Sequence, residues 1–217
     1  DAVSEILARA PDQGVGPTIL EATRATAEVV SCNTNLGIIL LLAPLAAVPE
    51  DETLDEGIGG VLDRLDRLDR LDRLDRPDHR DTECVYQAIR LAAPGGLGHS
   101  DQHDVAETPS VPLMEAMRVA ADRDGVAAAY HDRFQKVLDW SRRGLTGGES
   151  FAGDWEAQVI GLALSIQAEQ PDTLIARKCG CEIADQAAAL ARQTLGSEDE
   201  TEFNQKLSAL DFWLRSD

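Results

Sequence analysis

Residues 33 to 37 read Asn-Thr-Asn-Leu-Gly and stand directly before an apolar run that ends at Val48. Asn33 and Thr34 are residue types that cap a helix by accepting hydrogen bonds from the free N–H groups of its first turn. Such N–H groups also bind anions, and Gly37 lets a ligand approach the backbone because it has no side chain. The pattern predicts either an anion site at a helix start or an ordinary capped core helix, and it leaves both open.

A second cluster has the residue types expected of a phosphate contact. The segment from 171 to 180 opens with two capping residues, Asp172 and Thr173, and carries Arg177 and Lys178 about one turn later. Lysine is scarce in this chain, so a basic pair at this position is notable. The local pattern is as consistent with surface charge as with anion binding.

A third cluster is acidic. Asp101, Asp104 and Glu107 follow a glycine turn and are spaced by three residues. Such side chains can converge on one side of a turn, where hard cations such as magnesium bind through oxygen. His99 and His103 lie four residues apart, but no third zinc ligand accompanies them nearby. The sequence therefore favours magnesium over zinc.

The elements that must position these clusters are helices, since strand signals are almost absent. We predict an all-α fold, a single-domain multi-helix bundle over residues 1–217 around an apolar central helix at about 35 to 48. This run is interrupted by Pro44 and is too short for a membrane span, which needs about 20 apolar residues. The other predicted helices are 2–10, 17–31, 53–76, 81–93, 111–122, 125–143, 152–169, 173–195 and 199–214.

Five copies of Leu-Asp-Arg fill residues 62–76. A three-residue step moves successive leucines around a helix, so they form no single apolar stripe, while the first four of the five aspartates each stand four residues before an Arg. We interpret the segment as an insertion that forms either a solvated helix or a semi-ordered stretch. We expect it to have no packing role.

The balance of charge is strongly acidic. With 39 acidic and 20 basic residues the formal net charge is -19. This argues against nucleic-acid and anionic-membrane partners, since both require positive charge. Halophilic proteins use such a balance to remain soluble, so we expect a cytoplasm rich in salt. The four cysteines include one Cys-x-Cys pair at 179 and 181, which lacks the second Cys or His pair of a zinc site. We interpret them as structural thiols, with metal ligation as the open alternative.

Four strings in this order resemble the triphosphoribosyl-dephospho-CoA synthase family. They are NTNLGIILLLAPLA from residue 33, YQAIRLAAPGGLG from 86, QHDVAETPSVPLMEAMRVAADRD from 102 and PDTLIARKCG from 171. The resemblance runs with gaps from about residue 14 to the end and breaks at the repeat. Members that serve citrate lyase have Asn-Thr-His-Lys-Gly where this chain has Asn-Thr-Asn-Leu-Gly, so it is similar to a divergent member.

The resemblance implies an all-helical cytoplasmic transferase with ATP and 3′-dephospho-CoA as its small-molecule partners and magnesium as its metal. Such an enzyme attaches the triphosphoribosyl part of ATP to the ribose 2′-hydroxyl of dephospho-CoA and releases adenine. The product is a prosthetic-group precursor for the acyl carrier subunits of citrate lyase and malonate decarboxylase.

The resemblance also implies roles for the first cluster and for the acidic residues. Asn33, Thr34, Asn35 and Gly37 correspond to the family's nucleotide-binding segment. The acidic pair, Asp104 and Glu107, is assigned to the metal or to general base catalysis.

In the second cluster, Arg177 and Lys178 resemble the family's downstream basic pair and are assigned to phosphate. Thr173 joins them in cofactor binding, and Asp172 orients the helix start within the catalytic set.

Two alternatives remain open. One is ATP-dependent ribosyl or phosphoribosyl transfer to a different acceptor of a cofactor pathway, and the other is a non-catalytic nucleotide-binding helical protein. Family members carry a Lys-Pro-Gly motif before this region and an Asn-Pro-Gly-Thr motif after it, so we expect the chain to be a fragment. The sequence does not indicate an oligomeric state.

Overall fold

A computed structural model describes residues 3–30, 35–75, 80–93, 103–145 and 155–216. These ranges contain 13 helices and no strand, so the predicted all-α fold class is confirmed. The helices are α1 (Ser4–Leu7), α2 (Ala10–Gln13), α3 (Val15–Val29), α4 (Leu36–Ala46), α5 (Leu54–Asp75), α6 (Arg80–Ala92), α7 (Leu113–Ala120), α8 (Gly125–His131), α9 (Gln135–Leu145), α10 (Trp155–Glu169), α11 (Thr173–Cys179), α12 (Cys181–Leu195) and α13 (Glu200–Arg215).

The helices fall into two compact units, Asp1–Gln135 and Lys136–Asp217. The first unit contains α1 to α8, and the second contains α10 to α13, with α9 beginning at the boundary. The expected single domain stays a prediction.

In the first unit, the most extensive helix pairing joins α3 to α6. The two helices bury apolar side chains with little or no exposed surface, Ile19 and Ala22 from α3 and Val85 and Ala88 from α6. Removal of this apolar surface from water is the main force that holds the pair together.

Gly16 lies where α3 meets the start of α6. Its backbone N–H donates to Oδ1 of Asp81 over 2.7 Å. A Cβ atom at residue 16 would lie 2.5 Å from Asp81 Cα and 2.6 Å from the Asp81 carbonyl oxygen. Any side chain at residue 16 would therefore clash with the backbone of α6, and only glycine permits this approach.

The apolar helix α4 is buried along one side through Leu36, Ile39, Leu40, Ala43 and Pro44. It contacts α3 most and also α1, α2, α5, α6 and α8. Two of its large apolar side chains remain exposed, Ile38 at 58% and Leu42 at 43%. Its predicted central position is therefore not confirmed. In the described part of the chain, no helix has both the length and the apolar character of a membrane span.

The Leu-Asp-Arg repeat begins inside α5, and its first two leucines belong to the core. Leu62 and Leu65 are buried together with Ile58 and Val61 of the same helix. The interpretation that the repeat has no packing role was therefore wrong for its first two copies. At 3.6 residues per turn the leucines drift by about 60° per copy, so two consecutive ones still share a face.

The predicted helix over 125–143 is interrupted between α8 and α9. Arg133 and Phe134 adopt left-handed backbone conformations with φ of 59° and 63°. Phe134 is fully buried, and its ring centroid lies 5.3 Å from that of Tyr130. The burial of this ring offsets part of the strain of the left-handed turn.

The second unit is built around α12, which packs against α10, α11 and α13. Its buried side is made of alanines and Thr194, and small side chains let neighbouring helices approach closely. Leu164 of α10 and Leu210 of α13 meet Ala191 in the core. Partly buried residues around them are Ile160, Ala168, Leu190, Phe203, Leu207 and Trp213.

Candidate functional site

The first candidate cluster lies at the start of α4. Asn33 and Thr34 are outside the described residues, and α4 begins at Leu36 with Asn35 as its N-cap residue. The Asn35 side chain makes no capping hydrogen bond but donates from Nδ2 to Oγ1 of Thr26 over 3.1 Å. Asn35 therefore ties the start of α4 to the last turns of α3, a contact that its sequence position did not reveal.

Gly37 is exposed in the first turn of α4. A Cβ atom there would meet only Cγ2 of Val126, at 3.8 Å, which is an ordinary contact distance. Glycine in a helix costs about 0.5–1 kcal/mol relative to alanine. Packing does not require the missing side chain of Gly37, which leaves the backbone of this turn accessible to a ligand.

The acidic candidates lie on a tight turn before α7. Asp104 is buried, and its Oδ1 accepts a hydrogen bond from the backbone N–H of Ala106 over 2.8 Å. The N–H of Glu107 donates to the carbonyl of Asp104 over 3.0 Å, and the Glu107 side chain is exposed. One carboxylate is therefore part of the turn's own structure while the other faces solvent.

Two side chains of α6 hold this turn in place. Tyr86 donates from its hydroxyl to the carbonyl of His103 over 3.0 Å. Arg90 donates from Nη1 to the carbonyls of Val105 and Glu107, at 2.7 and 3.2 Å. Burial raises the pKa of Tyr86, and the negative charge of Asp104 raises it further, against the opposing effect of Arg90. The phenol therefore stays protonated as a donor to the turn.

A metal at this turn would rely on few protein ligands. Asp101 and His99 lie outside the described residues, and within the described ranges no group of three or more His, Cys, Asp or Glu side chains could hold a metal ion. Asp104 and Glu107 can contribute two carboxylates. Magnesium commonly takes only one or two from a protein, with water and substrate phosphates completing its shell, so the donor chemistry fits magnesium.

The second candidate cluster spans α11. Asp172 is the N-cap of this helix and accepts hydrogen bonds from the N–H groups of Leu174 and Ile175, at 2.6 and 3.2 Å. The predicted capping role is confirmed. Two backbone N–H groups donate to its Oδ1, so Asp172 orients the start of α11. Its assignment to the catalytic residues stays a prediction.

The predicted helix 173–195 is divided at Gly180, whose φ of 99° ends α11 and lets α12 begin immediately. Thr173 opens α11, while the partly buried Arg177 and the exposed Lys178 lie in its last turn. The basic pair therefore immediately precedes the first turn of α12. Gly180 has open space around its Cα, since a Cβ there would meet nothing within 4 Å.

Among the described candidates, the structure brings Asn35 and Gly37 together at one helix start and Asp104 and Glu107 together on one turn. It places Thr173, Arg177 and Lys178 on α11, directly after its N-cap Asp172. Tyr86 and Arg90, which organise the acidic turn, were not identified as site residues from the sequence. Their signal was their spacing of four residues on one face of α6, which is common in any helix.

These features define an all-helical protein with polar helix starts and a carboxylate turn, which is a suitable framework for a nucleotide-using enzyme. A family model described as ATP:dephospho-CoA triphosphoribosyl transferase matches residues 1–217, the entire chain. The chain belongs to this family of transferases, which confirms the resemblance and the enzyme class. No curated protein and no solved structure matches it.

Proposed function

We propose that this protein moves the triphosphoribosyl group of ATP to the ribose 2′-hydroxyl of 3′-dephospho-CoA. The bond between the ribose C1′ and adenine breaks, and a bond forms between C1′ and the acceptor oxygen. The acceptor's proton passes to a base, and adenine takes up a proton as it leaves, so the overall number of protons is unchanged. The observation that carries this proposal is the family match over the whole chain.

The transition state of this displacement places demands on the site. As the bond to adenine lengthens, the ribose gains positive, oxocarbenium-like charge. The triphosphate carries several negative charges that must be neutralised, and fixed dipoles and cations do this without reorganising during the reaction. In a chain of net charge -19, the positions of its few cations are informative.

We assign the triphosphate to Thr173, Arg177, Lys178 and the start of α12. Both basic side chains lie within four residues of Cys181, the first residue of this 15-residue helix. Gly180 is its N-cap residue and makes no side-chain cap, so the first N–H groups of α12 remain suited to an anion. The helix dipole adds favourable positive potential at this end.

We also assign nucleotide binding to the start of α4, through Asn33, Thr34, Asn35 and Gly37. Support comes from the hydrogen bond that fixes Asn35 to Thr26 and from the exposed backbone at Gly37, which no packing contact explains.

We assign Asp104 and Glu107 to magnesium and to general base catalysis. Magnesium, when bound, would neutralise phosphate charge. Glu107 is the exposed carboxylate of the pair, so we infer that it takes the acceptor's proton, while the buried Asp104 fixes the turn and Asp172 positions α11.

We infer a cytoplasmic enzyme that works in high salt and binds no nucleic acid. The charge of -19 supports this, because phosphate backbones are bound through an excess of Lys and Arg.

Kinetics of Arg177→Ala and Lys178→Ala test the phosphate assignment. Loss of a charged hydrogen bond to phosphate is expected to raise the KM for ATP by about tenfold or more. Lys206→Ala is the matched control, since Lys206 lies on α13 and pairs with Glu202. An unchanged KM for ATP in both variants would contradict the assignment.

Glu107→Gln tests the base. We expect kcat to fall about 100-fold or more with little change in the KM for ATP. Glu115→Gln is the control, since Glu115 is paired with Arg118 on α7. Full activity in Glu107→Gln would remove Glu107 from the mechanism.

A further inference from the structure

We propose that Cys179 and Cys181 form a binding site for a single soft metal ion, of which Cu(I) is the best match. They are the last residue of α11 and the first residue of α12, with only Gly180 between them. Both are free thiols with exposed side chains, whereas Cys84 on α6 is partly buried. The exposed pair does not serve to fill a core, so the interpretation as structural thiols does not account for it.

The backbone between the two thiols favours a bridging ion over a disulfide. Gly180 has φ 99° and ψ 157°, a near-extended step that only glycine adopts readily. Two residues in extended backbone span about 7 Å at most, near or beyond the usual upper limit of about 6.8 Å between the Cα atoms of a disulfide. A metal ion bonded to each sulfur at about 2.3 Å tolerates sulfurs up to about 4.6 Å apart, against about 2 Å in a disulfide.

The surroundings suit a small cation held by two thiolates. Cys179 and Cys181 are both exposed, so an ion can reach the two thiols from solvent. Two thiolates and one monovalent ion leave one net negative charge. Arg177 and Lys178 in the last turn of α11 and the start of α12 supply positive potential beside it.

The number of ligands selects the metal. In the described part of the chain, no cluster of three or more His, Cys, Asp or Glu side chains is available to a metal. A structural zinc ion takes four protein ligands, which this tripeptide does not provide. Cu(I) prefers soft thiolates and is satisfied by two of them, so the pair matches its chemistry.

The test is a titration of the reduced whole chain with Cu(I) under anaerobic conditions, against a coloured Cu(I) chelator. We expect one ion per chain. Cys179→Ser and Cys181→Ser should each weaken binding by about 100-fold or more, because loss of either thiolate removes the chelate effect. Both side chains are exposed, so the substitutions leave the fold intact, which circular dichroism verifies.

Cys84→Ser and Cys32→Ser are the matched controls, since they remove thiols elsewhere in the chain and should retain the affinity of the unmodified protein. The proposal is overturned if the chain removes no Cu(I) from the chelator, if either Cys179→Ser or Cys181→Ser binds as tightly as the parent, or if either control loses affinity to the same extent. The titration is run without ATP, because the triphosphate is assigned to the same helix start, and its outcome does not depend on the KM values of the Arg177 and Lys178 variants.

Discussion

The hydroxyl of Tyr130 donates a 2.8 Å hydrogen bond to the backbone carbonyl of Leu40. This carbonyl lies four residues before Pro44, which has no N–H with which to complete the helical hydrogen bond. Tyr130 is fully buried, and burial together with the negative charge of Asp81 raises the pKa of its phenol. A permanently protonated side chain of α8 therefore replaces the donor that Pro44 removes from α4.

Tyr130→Phe should destabilise the protein by about 1–3 kcal/mol, because it leaves the buried carbonyl of Leu40 without its donor. Pro44→Ala restores a backbone N–H four residues after Leu40. In the Pro44→Ala background, the effect of Tyr130→Phe on the free energy of unfolding should fall to about half or less. Urea denaturation of the four proteins of this double-mutant cycle measures the coupling.

Tyr86→Phe is the control for this cycle. The Tyr86 hydroxyl also donates to a backbone carbonyl, that of His103, but at a site unrelated to α4. The effect of Tyr86→Phe should be the same in the parent protein and in the Pro44→Ala background. Equal costs of Tyr130→Phe in the two backgrounds would show that Tyr130 does not compensate for the proline.

Gly16→Ala should be among the most damaging single substitutions in the first unit. The added methyl group would lie 2.5 Å from Asp81 Cα, so α3 and α6 must separate, and overpacking of this kind costs about 1–3 kcal/mol or more. Gly60→Ala on α5 is the matched control, because nothing lies within 4 Å of its added Cβ. It should stabilise the protein by up to about 1 kcal/mol. Thermal unfolding of Gly16→Ala and Gly60→Ala measures both effects. Similar melting temperatures for the two variants would contradict this prediction.

Glu169 should make stability depend on pH in the acid range. Its carboxylate accepts hydrogen bonds from Arg143 and from Nε1 of Trp140, and these lower its pKa from 4.5 to about 2. Because the folded value is the lower one, the stabilisation is present above pH 4.5 and disappears as the pH falls toward 2. The carboxylate is largely exposed, so Glu169→Gln should cost no more than about 1 kcal/mol at neutral pH.

Urea unfolding at neutral pH and near pH 2 measures this effect. The difference in free energy of unfolding between the parent and Glu169→Gln should shrink at the acidic pH. Asp185→Asn, at an exposed position beyond the first turn of α12, should show little difference from the parent at either pH. A difference that is constant with pH would mean that Arg143 and Trp140 do not stabilise the charged form.

Salt should stabilise the whole chain. With a net charge of -19, carboxylates repel one another across the surface, and this repulsion is screened as the Debye length falls to about 3 Å at 1 M salt. We expect the melting temperature to rise between low and molar potassium chloride. A flat or falling curve would argue against adaptation to a salt-rich cytoplasm.

The helical class and most helix positions could be predicted from the sequence, because helix periodicity and capping residues are local signals. The N-cap Asp172 is an example, since its role depends only on the next few residues. The break at Phe134 could not be predicted, because its left-handed backbone is stabilised by burial against Tyr130, which is a tertiary effect.

The same distinction between local sequence signals and tertiary effects applies to the candidate site. The residue types at Asn35 and Gly37 indicated a ligand contact, but the hydrogen bond from Asn35 to Thr26 depends on how α3 and α4 pack. Arg90 supports the acidic turn through hydrogen bonds to two carbonyls that lie 15 and 17 residues away along the chain. Contacts over such a separation produce no periodic pattern in the sequence. Leu62 and Leu65 were misjudged because the repeat was treated alone, without the apolar residues before it in α5.

Adenine release tests the central claim most directly. The protein is incubated with ATP and magnesium in molar potassium chloride, with and without 3′-dephospho-CoA, and free adenine is measured by chromatography. We predict adenine only when dephospho-CoA is present, in an amount equal to the triphosphoribosylated product. Adenine formed equally without the acceptor, or none under either condition while ATP still binds, would contradict the assignment of dephospho-CoA as the acceptor.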